Sequence, residues 1–317
     1  MCFIKTLYKK ILIKRYDDDH IIHYFSYKDF DGLYAESRNF KTEEGYLIKG
    51  YYYYYPSYKE DQLIIFSHGI GGGHRSYMRE IELLCKKGYR VLSYDNVGCF
   101  ESEGKSIRAA SESTNDLLCV LNTLKKEGSL NGIKVSLIGH SWGGHAVSNI
   151  LSYYNEINSI VCISGYASME LFLNSMFKGK HKFIRHSIMK YEKKMNEKLY
   201  NSYSYNAVKD TKTRVLFIHS KDDSVVGLDA SAFSYKDKIN NPNVNYLLCE
   251  GKSHNPNYTY DAVKYMKESF GEYNKLIKAK KLKTFEAKKA FMDKLDWYRM
   301  TEQDEDIWNI ILSNIKE

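Results

Sequence analysis

Ser141 stands in Gly139-His140-Ser141-Trp142-Gly143, between the apolar run Ile133–Ile138 and a helical pattern that begins near Gly143. A G-x-S-x-G pentapeptide at such a junction predicts a nucleophile elbow, a strained strand-to-helix turn that holds a serine hydroxyl clear of a sheet. Its glycines are needed where neighbouring backbone passes too close for a Cβ atom. A serine nucleophile also needs a base, an orienting acid and an oxyanion site. In this architecture the order along the chain is Ser, then Asp or Glu, then His. That order is restrictive here. Asp222 and Asp223 follow the apolar run Val215–Ile218, and of the 10 histidines only His254 lies beyond them, just after Val244–Leu248. His68-Gly69-Ile70-Gly71-Gly72-Gly73 follows the apolar run Leu63–Phe66. The backbone N–H groups of Ile70 and Trp142 are expected to face the developing oxyanion, each worth about 3–4 kcal/mol in the transition state.

Other chemistries find less support. The glycine run contains no G-x-x-x-x-G-K-[ST], and Tyr77 and Met78 break a G-x-G-x-x-G pattern, so it does not read as a phosphate cradle. His20 and His23 lie near Asp17, Asp18 and Asp19 without a second cluster to complete a metal site. No metal and no cofactor are expected.

The elements that must position these residues follow from apolar patterning. Leu63–Phe66, Val91–Tyr94, Ile133–Ile138, Ser159–Ile163, Val215–Ile218 and Val244–Leu248 read as core strands. Between them Tyr77–Lys87 and the segment holding Leu117, Leu118, Leu121 and Leu124 have helical spacing, as does the one with Val147, Ile150 and Leu151. Near-continuous apolar strands alternating with helices predict a mostly parallel sheet covered on both faces, with ligands bound along the strand C-terminal edge. Residues up to about Pro56 read as strand and turn. The connection from Ile163 to Val215 is too long for an ordinary loop. Helical patterns at Met169–Met176 and Phe183–Leu199 make 166–210 a small helical cap. The expected organisation is therefore 1–165 for the N-terminal strands and first part of the core, then the cap. The second part of the core is 211–270, and a helical extension occupies 271–317. Within the extension, Thr301 followed by Asp304 reads as the capping box of a final helix bearing Ile307, Trp308, Ile311 and Ile315.

With 317 residues, 43% of them hydrophobic, the chain can fill a large core, which excludes wholesale disorder. Three prolines and 29 tyrosines suggest an AT-rich bacterial coding bias. The net charge of +8 is spread out, apart from Lys275, Lys278, Lys280, Lys281, Lys283, Lys288 and Lys289. This basic stretch reads as a solvated helix face; no nucleic-acid partner is expected, although anionic lipid or nucleic acid is the alternative use of such a face. Cys2, Cys85, Cys99, Cys119, Cys162 and Cys249 show no metal or disulfide spacing. Together with an N-terminus lacking a signal-peptide pattern and the absence of any run of about 20 apolar residues, this points to a soluble cytoplasmic protein. Oligomeric state is not readable.

Taken together, His68-Gly69 with Gly71–Gly73, the segment Tyr94-Asp95-Asn96-Val97-Gly98-Cys99-Phe100-Glu101-Ser102-Glu103-Gly104, the elbow and the two later acid and histidine segments resemble the α/β-hydrolase fold superfamily. Within it they are similar to bacterial serine esterases of the monoacylglycerol lipase kind. The resemblance covers about residues 40–270. It implies Ser141 as nucleophile, His254 as base, and Ile70 and Trp142 as oxyanion donors. It also selects Asp223 over Asp222, because the family's acid lies three residues beyond a usual glycine, here Ser220. Phe100 stands where a glycine is common, and His145 replaces a usual small residue. Ser224 and Gly227 replace frequent prolines. The implied activity is hydrolysis of a small acyl ester through an acyl-serine. An amide, peptide or thioester bond on the same triad is an alternative, and so is a noncatalytic binding protein on the hydrolase fold.

Overall fold

Strands buried on both faces must be paired on both edges or closed off, and this chain solves the problem with one open sheet. The computed structural model describes residues 2–178 and 182–316, with side chains from Lys5 onward. The side chain of Cys2 and residues 179–181 of the expected cap lie outside the described residues. Eight strands run β1 (Tyr34–Lys41), β2 (Leu47–Tyr54), β3 (Gln62–Ser67), β4 (Arg90–Tyr94), β5 (Lys134–His140), β6 (Ser159–Ile163), β7 (Arg214–Ser220) and β8 (Val244–Cys249). Their spatial order is β1-β2-β4-β3-β5-β6-β7-β8. Strands β3 to β8 are mutually parallel, while β2 pairs antiparallel with both β1 and β4. All six apolar runs expected as core strands form the parallel part. The chain steps outward from β3 to β4 on one side and from β5 to β8 on the other. The direction of winding therefore reverses between β3 and β5, and the C-terminal ends of these two strands border the crevice where open α/β sheets bind ligands.

Helices cover both faces. On one, α3 (Ser113–Lys126) and α4 (Trp142–Asn149) bury Leu117, Leu121, Leu124 and Val147 against Ile65, Leu137 and Ile160. On the other, α2 (Met78–Lys86) and α12 (Glu305–Lys316) bury Ile81, Leu84, Trp308 and Ile311 against Phe66, Ile138, Val161 and Ile218. The C-terminal helix is thus part of the second core. Its start corrects one expectation: the Oδ1 of Asp304 accepts the N–H groups of Asp306 and Ile307, while the Thr301 hydroxyl donates to the carbonyl of Trp297. Thr301 is consumed by the short preceding helix α11 (Trp297–Met300), leaving the carboxylate nearer the new helix to cap it and to favour its positive N-terminal end.

Between β6 and β7 lie α5 (Met169–Met176), α6 (Lys182–Met195), α7 (Glu197–Tyr200) and α8 (Ser204–Val208). The helical pattern read over Phe183–Leu199 breaks at Asn196, whose side chain accepts the N–H of Leu199 and restarts the chain as α7. After β8 the chain continues into α9 (Tyr260–Lys278) and α10 (Phe285–Met292). Lys275, Lys278, Lys280, Lys281, Lys283 and Lys289 are exposed there.

The N-terminus differs from the expected strand and turn. Cys2–Ile11 form a helix, α1. Tyr8 and Ile13 are buried with Met169, Leu173, Ile188 and Tyr191. The Tyr8 hydroxyl donates to the Oε1 of Glu192 at 2.7 Å, and the Glu192 carboxylate also receives the Ala110 N–H. Burial pushes the Glu192 carboxyl up to about 7, against the pull of those two donors. Between the ordinary carboxylate range and that value the folded state holds a proton that the unfolded chain has released. Stability from this group therefore declines as pH rises through the window. Glu192→Gln removes the dependence. In thermal melts the variant's Tm relative to the unmodified protein should be higher at pH 8 than at pH 5; a pH-independent difference contradicts the assignment.

Candidate active site

Strand β5 ends at His140, and the chain turns sharply at Ser141, whose φ of 55° and ψ of −109° are strained for any residue but glycine. The turn is held by the Ser141 N–H donating to the carbonyl of Ile163 at 2.8 Å and by the His145 N–H returning to the carbonyl of Ser141 at 2.9 Å. It is possible only because Gly143 has no side chain: a Cβ there would sit 2.0 Å from the carbonyl oxygen of Ser67. The Ser141 Oγ makes no hydrogen bond among the described residues. Trp142 opens α4, so its N–H has no partner within the helix. The N–H of Ile70 also has no protein acceptor among the described residues. Ser141, Ile70 and Trp142 share the wall of one cavity of about 40 Å³, completed by Leu12, Ala110, Tyr166, Phe172, Val225 and Val226.

The loops after β7 and β8 bring Asp223 and His254 together. The Asp223 Oδ2 lies 2.7 Å from the His254 Nδ1. A carboxylate can only accept there, so Nδ1 carries the proton and Nε2 is left as the basic nitrogen. Asp223 Oδ1 accepts the N–H groups of Val225 at 2.9 Å and Val226 at 3.0 Å. Burial works against the carboxylate, but the His254 hydrogen bond and charge, with the Val226 amide, hold its pKa below the ordinary value. Asp222 points elsewhere: it accepts the Ser220 hydroxyl and the Ser253 N–H, tying the two loops together without reaching the imidazole. The structure records no hydrogen bond between Ser141 and His254 among the described residues. Their loops are nevertheless in contact, because His140 reaches the His254 carbonyl at 2.8 Å.

Two further loops hold the Ile70 side of the cavity. The His68 Nδ1 lies 2.8 Å from the Gly69 carbonyl, and its Nε2 accepts the Asn96 N–H at 2.9 Å. This ring pins the glycine-rich loop to the Asp95 loop. Asp95 is buried and receives the N–H and the ring nitrogen of His74. Burial again opposes its charge, and His74 more than offsets the cost, so its pKa is lowered. Phe100, at the expected glycine position, has φ 39°, which costs a non-glycine residue about 1–2 kcal/mol. Its N–H donates to Tyr16 and its ring lies edge-on to Tyr24.

Comparison with known proteins bears on the fold. Residues 58–211 match a family model described as serine aminopeptidase, S33. A Pyrococcus furiosus esterase superposes with a TM-score of 0.59 at 20% identity, covering 83% of this chain and 98% of that one. The chain has the α/β-hydrolase fold. A Pyrococcus horikoshii acylaminoacyl peptidase shares the fold with a TM-score of 0.53 at 20% identity, over 72% of this chain and 38% of that one. Among curated relatives, a proline iminopeptidase of Saccharolobus solfataricus is 32% identical over 141 residues, 43% of this chain and 44% of that protein. One of Thermoplasma volcanium is 29% identical over 43% of this chain and 47% of its own length. The chain thus matches somewhat less than half the length of these relatives.

Leu12 and His219, at the site, carry no sequence signal, whereas His145 stood out as the replacement of a usual small residue. Leu12 reaches the cavity from the unexpected N-terminal segment. His219, inside β7, places its Nε2 2.9 Å from the Val226 carbonyl and 3.4 Å from Asp223 Oδ2. His145 is buried and stacked on Tyr166 at 4.2 Å, with Nδ1 near the Tyr166 carbonyl and Nε2 without a partner among the described residues. Burial lowers its pKa to about 4, so it backs the cavity wall as a neutral ring. No helix of the described residues is long and apolar enough to cross a membrane.

Proposed function

We propose that this chain is a serine hydrolase that cleaves a carboxylic ester with a short, apolar acyl group through an acyl-Ser141 intermediate. The observation that carries the reading is one cavity shared by a strained serine and two unengaged backbone N–H groups, with an Asp-oriented imidazole on the adjoining loop. His254 Nε2 takes the proton of the Ser141 hydroxyl, after rotation about the serine Cα–Cβ bond brings Oγ to it. The oxygen attacks the acyl carbon, and the Ile70 and Trp142 amides receive the oxyanion. His254 then protonates the leaving alcohol, and water repeats the cycle to release the acid. Asp223 keeps the imidazole in the tautomer that leaves Nε2 free. Residues 166–210 serve as the cap, closing the cavity with Tyr166 and Phe172.

The cavity lining supports the ester reading. Its side chains apart from Ser141 are apolar or aromatic and include no carboxylate to receive a substrate ammonium group. A second reading, cleavage of an N-terminal aminoacyl amide, is favoured by the match to the serine aminopeptidase family model and by the iminopeptidase relatives. Fluorophosphonate labelling followed by matched p-nitrophenyl esters and aminoacyl p-nitroanilides separates the two. Labelling of Ser141 with faster turnover of acetyl to butyryl esters supports the ester reading. Faster turnover of the anilides replaces it with the peptidase. Well-folded protein that does not label at Ser141 removes both and leaves a binding protein on the hydrolase fold.

A further inference from the structure

The second residue of the elbow, His140, is buried beside His254, with the ring centroids 4.8 Å apart. Its Nε2 lies 2.8 Å from the carbonyl oxygen of His254. Its Nδ1 lies 2.8 Å from the hydroxyl of Tyr77, and that hydroxyl oxygen lies 3.0 Å from the backbone N of Gly69. Gly69 immediately precedes Ile70, which lines the cavity shared with Ser141. A continuous hydrogen-bond chain therefore runs from the oxyanion loop to the loop of the base and passes beneath the nucleophile.

The proton positions in this chain are fixed by elimination. A carbonyl oxygen can only accept, so His140 Nε2 must carry a hydrogen. A neutral ring then leaves Nδ1 as an acceptor, and the Tyr77 hydroxyl must donate to it. The phenolic oxygen is left to accept the Gly69 N–H. Every group is satisfied in one direction only. Burial, with His254 alongside, lowers the His140 pKa to about 3, which keeps the ring neutral although Asp223 lies close enough to favour its charge. His219 is the other titratable group facing it, and it too disfavours the charge. The fit of the tyrosine depends on the glycine: a Cβ on Gly69 would lie 2.6 Å from the Tyr77 hydroxyl oxygen.

We propose that Tyr77 and His140 are positioning residues, a bridge of fixed hydrogen-bond direction that sets the Ile70 amide and the His254 imidazole relative to each other across Ser141. The inference rests on the roles given to Ser141, His254 and Ile70 above. Neither side chain touches substrate. Each acts by holding a backbone group of the machinery in place, where a misplacement of about 1 Å can cost about 100-fold in rate.

The test uses the full-length protein with Tyr77→Phe, His140→Gln and His140→Asn. Glutamine at 140 can still donate to the His254 carbonyl from the position of Nε2. Asparagine can still accept from Tyr77 at the position of Nδ1 but cannot reach His254. On a p-nitrophenyl ester, Tyr77→Phe, His140→Asn and His140→Gln each break one link of the bridge and should each lower kcat by about 10- to 100-fold with KM changed by less than about threefold. Tyr77→Phe, or either His140 variant, with kcat within about twofold of the unmodified protein overturns the bridge. Imidazole ¹⁵N NMR gives a readout independent of turnover, with the His140 signal assigned from His140→Gln. The Nε2–H tautomer, persisting from pH 5 to 8 with an Nδ1 shift that moves in Tyr77→Phe as its donor is removed, supports the bridge; an Nδ1–H ring, an imidazolium or an Nδ1 shift unchanged in Tyr77→Phe overturns it. Fluorophosphonate labelling of the unmodified protein separates the two layers. Failure to label Ser141 defeats the hydrolase reading while the NMR result still decides the bridge.

Discussion

Ser141→Ala should reduce kcat for a cleaved ester by about 10⁶-fold, the loss seen when serine hydrolases lose their nucleophile. Alanine retains the Cβ, so the strained turn at φ 55° is neither relieved nor worsened. Because Oγ makes no hydrogen bond among the described residues, its removal leaves no partner unsatisfied. Thermal melts of the variant should therefore overlay those of the unmodified protein, and the loss can be assigned to chemistry. Activity does not fall to zero, since the Ile70 and Trp142 amides still stabilise an oxyanion formed by water attack, which leaves about 10³–10⁴-fold over the uncatalysed rate. The decisive measurement is single-turnover hydrolysis combined with mass spectrometry of the acylated or phosphonylated peptide containing Ser141. A variant that retains a tenth of the activity, or that still acquires the adduct, places the nucleophile elsewhere.

Much of this architecture was legible because its physics is local. Leu63–Phe66, Val91–Tyr94, Ser159–Ile163 and Val215–Ile218 are apolar without alternation, which only a sheet covered on both faces demands, and all four became central parallel strands. Ser141, His254 and the pair Asp222 and Asp223 were placed by strand ends and chain order, with Asp223 chosen only through the family resemblance, and the loops carrying them do follow β5, β7 and β8. What stayed hidden depends on partners distant in the chain. Tyr8 is an ordinary surface-helix residue until Glu192 and Tyr191 meet it, so nothing in Met1–Tyr16 announced a helix docked beside the site. His140 occupies a variable position of the elbow pattern, and Tyr77 looked like the start of a helix; their link exists only in three dimensions. Thr301 and Asp304 read as one capping box, and the structure uses Asp304 alone because Thr301 is taken by a four-residue helix, α11, too short to leave a periodic pattern.

The His254 loop shows why the C-terminal extension matters to the site. Lys252 is buried, and its ammonium donates to the Tyr258 carbonyl and pairs with Asp304, the residue that caps α12. One carboxylate thus caps a helix of the second core and neutralises a lysine two residues from His254. A buried lysine without that partner would carry an uncompensated charge, at a cost of about 3–5 kcal/mol. The extension therefore braces the loop that presents the imidazole, in addition to shielding the sheet.

Asp223→Asn should lower kcat by about 10⁴-fold, in line with the same change in other Ser-His-Asp enzymes. The local hydrogen bonds explain why asparagine fails despite its equal size. One oxygen of Asp223 already serves the N–H groups of Val225 and Val226, and only an acceptor can occupy that position. The carboxamide oxygen must take that place, which turns the NH₂ group toward His254 Nδ1. An NH₂ group can only donate, so Nδ1 must give up its hydrogen and Nε2 must carry it. The imidazole then offers Ser141 a proton when it should remove one. Asp222→Asn is the matched control: its contacts are with the Ser220 hydroxyl, the Ser253 N–H and Lys267, and its loss should cost less than about tenfold. Paired kcat measurements on one ester decide the assignment. An equal loss in both variants, or a larger one in Asp222→Asn, would transfer the orienting role away from Asp223. An ¹⁵N spectrum of Asp223→Asn with Nδ1 of His254 still protonated would refute the tautomer argument even if the rate fell.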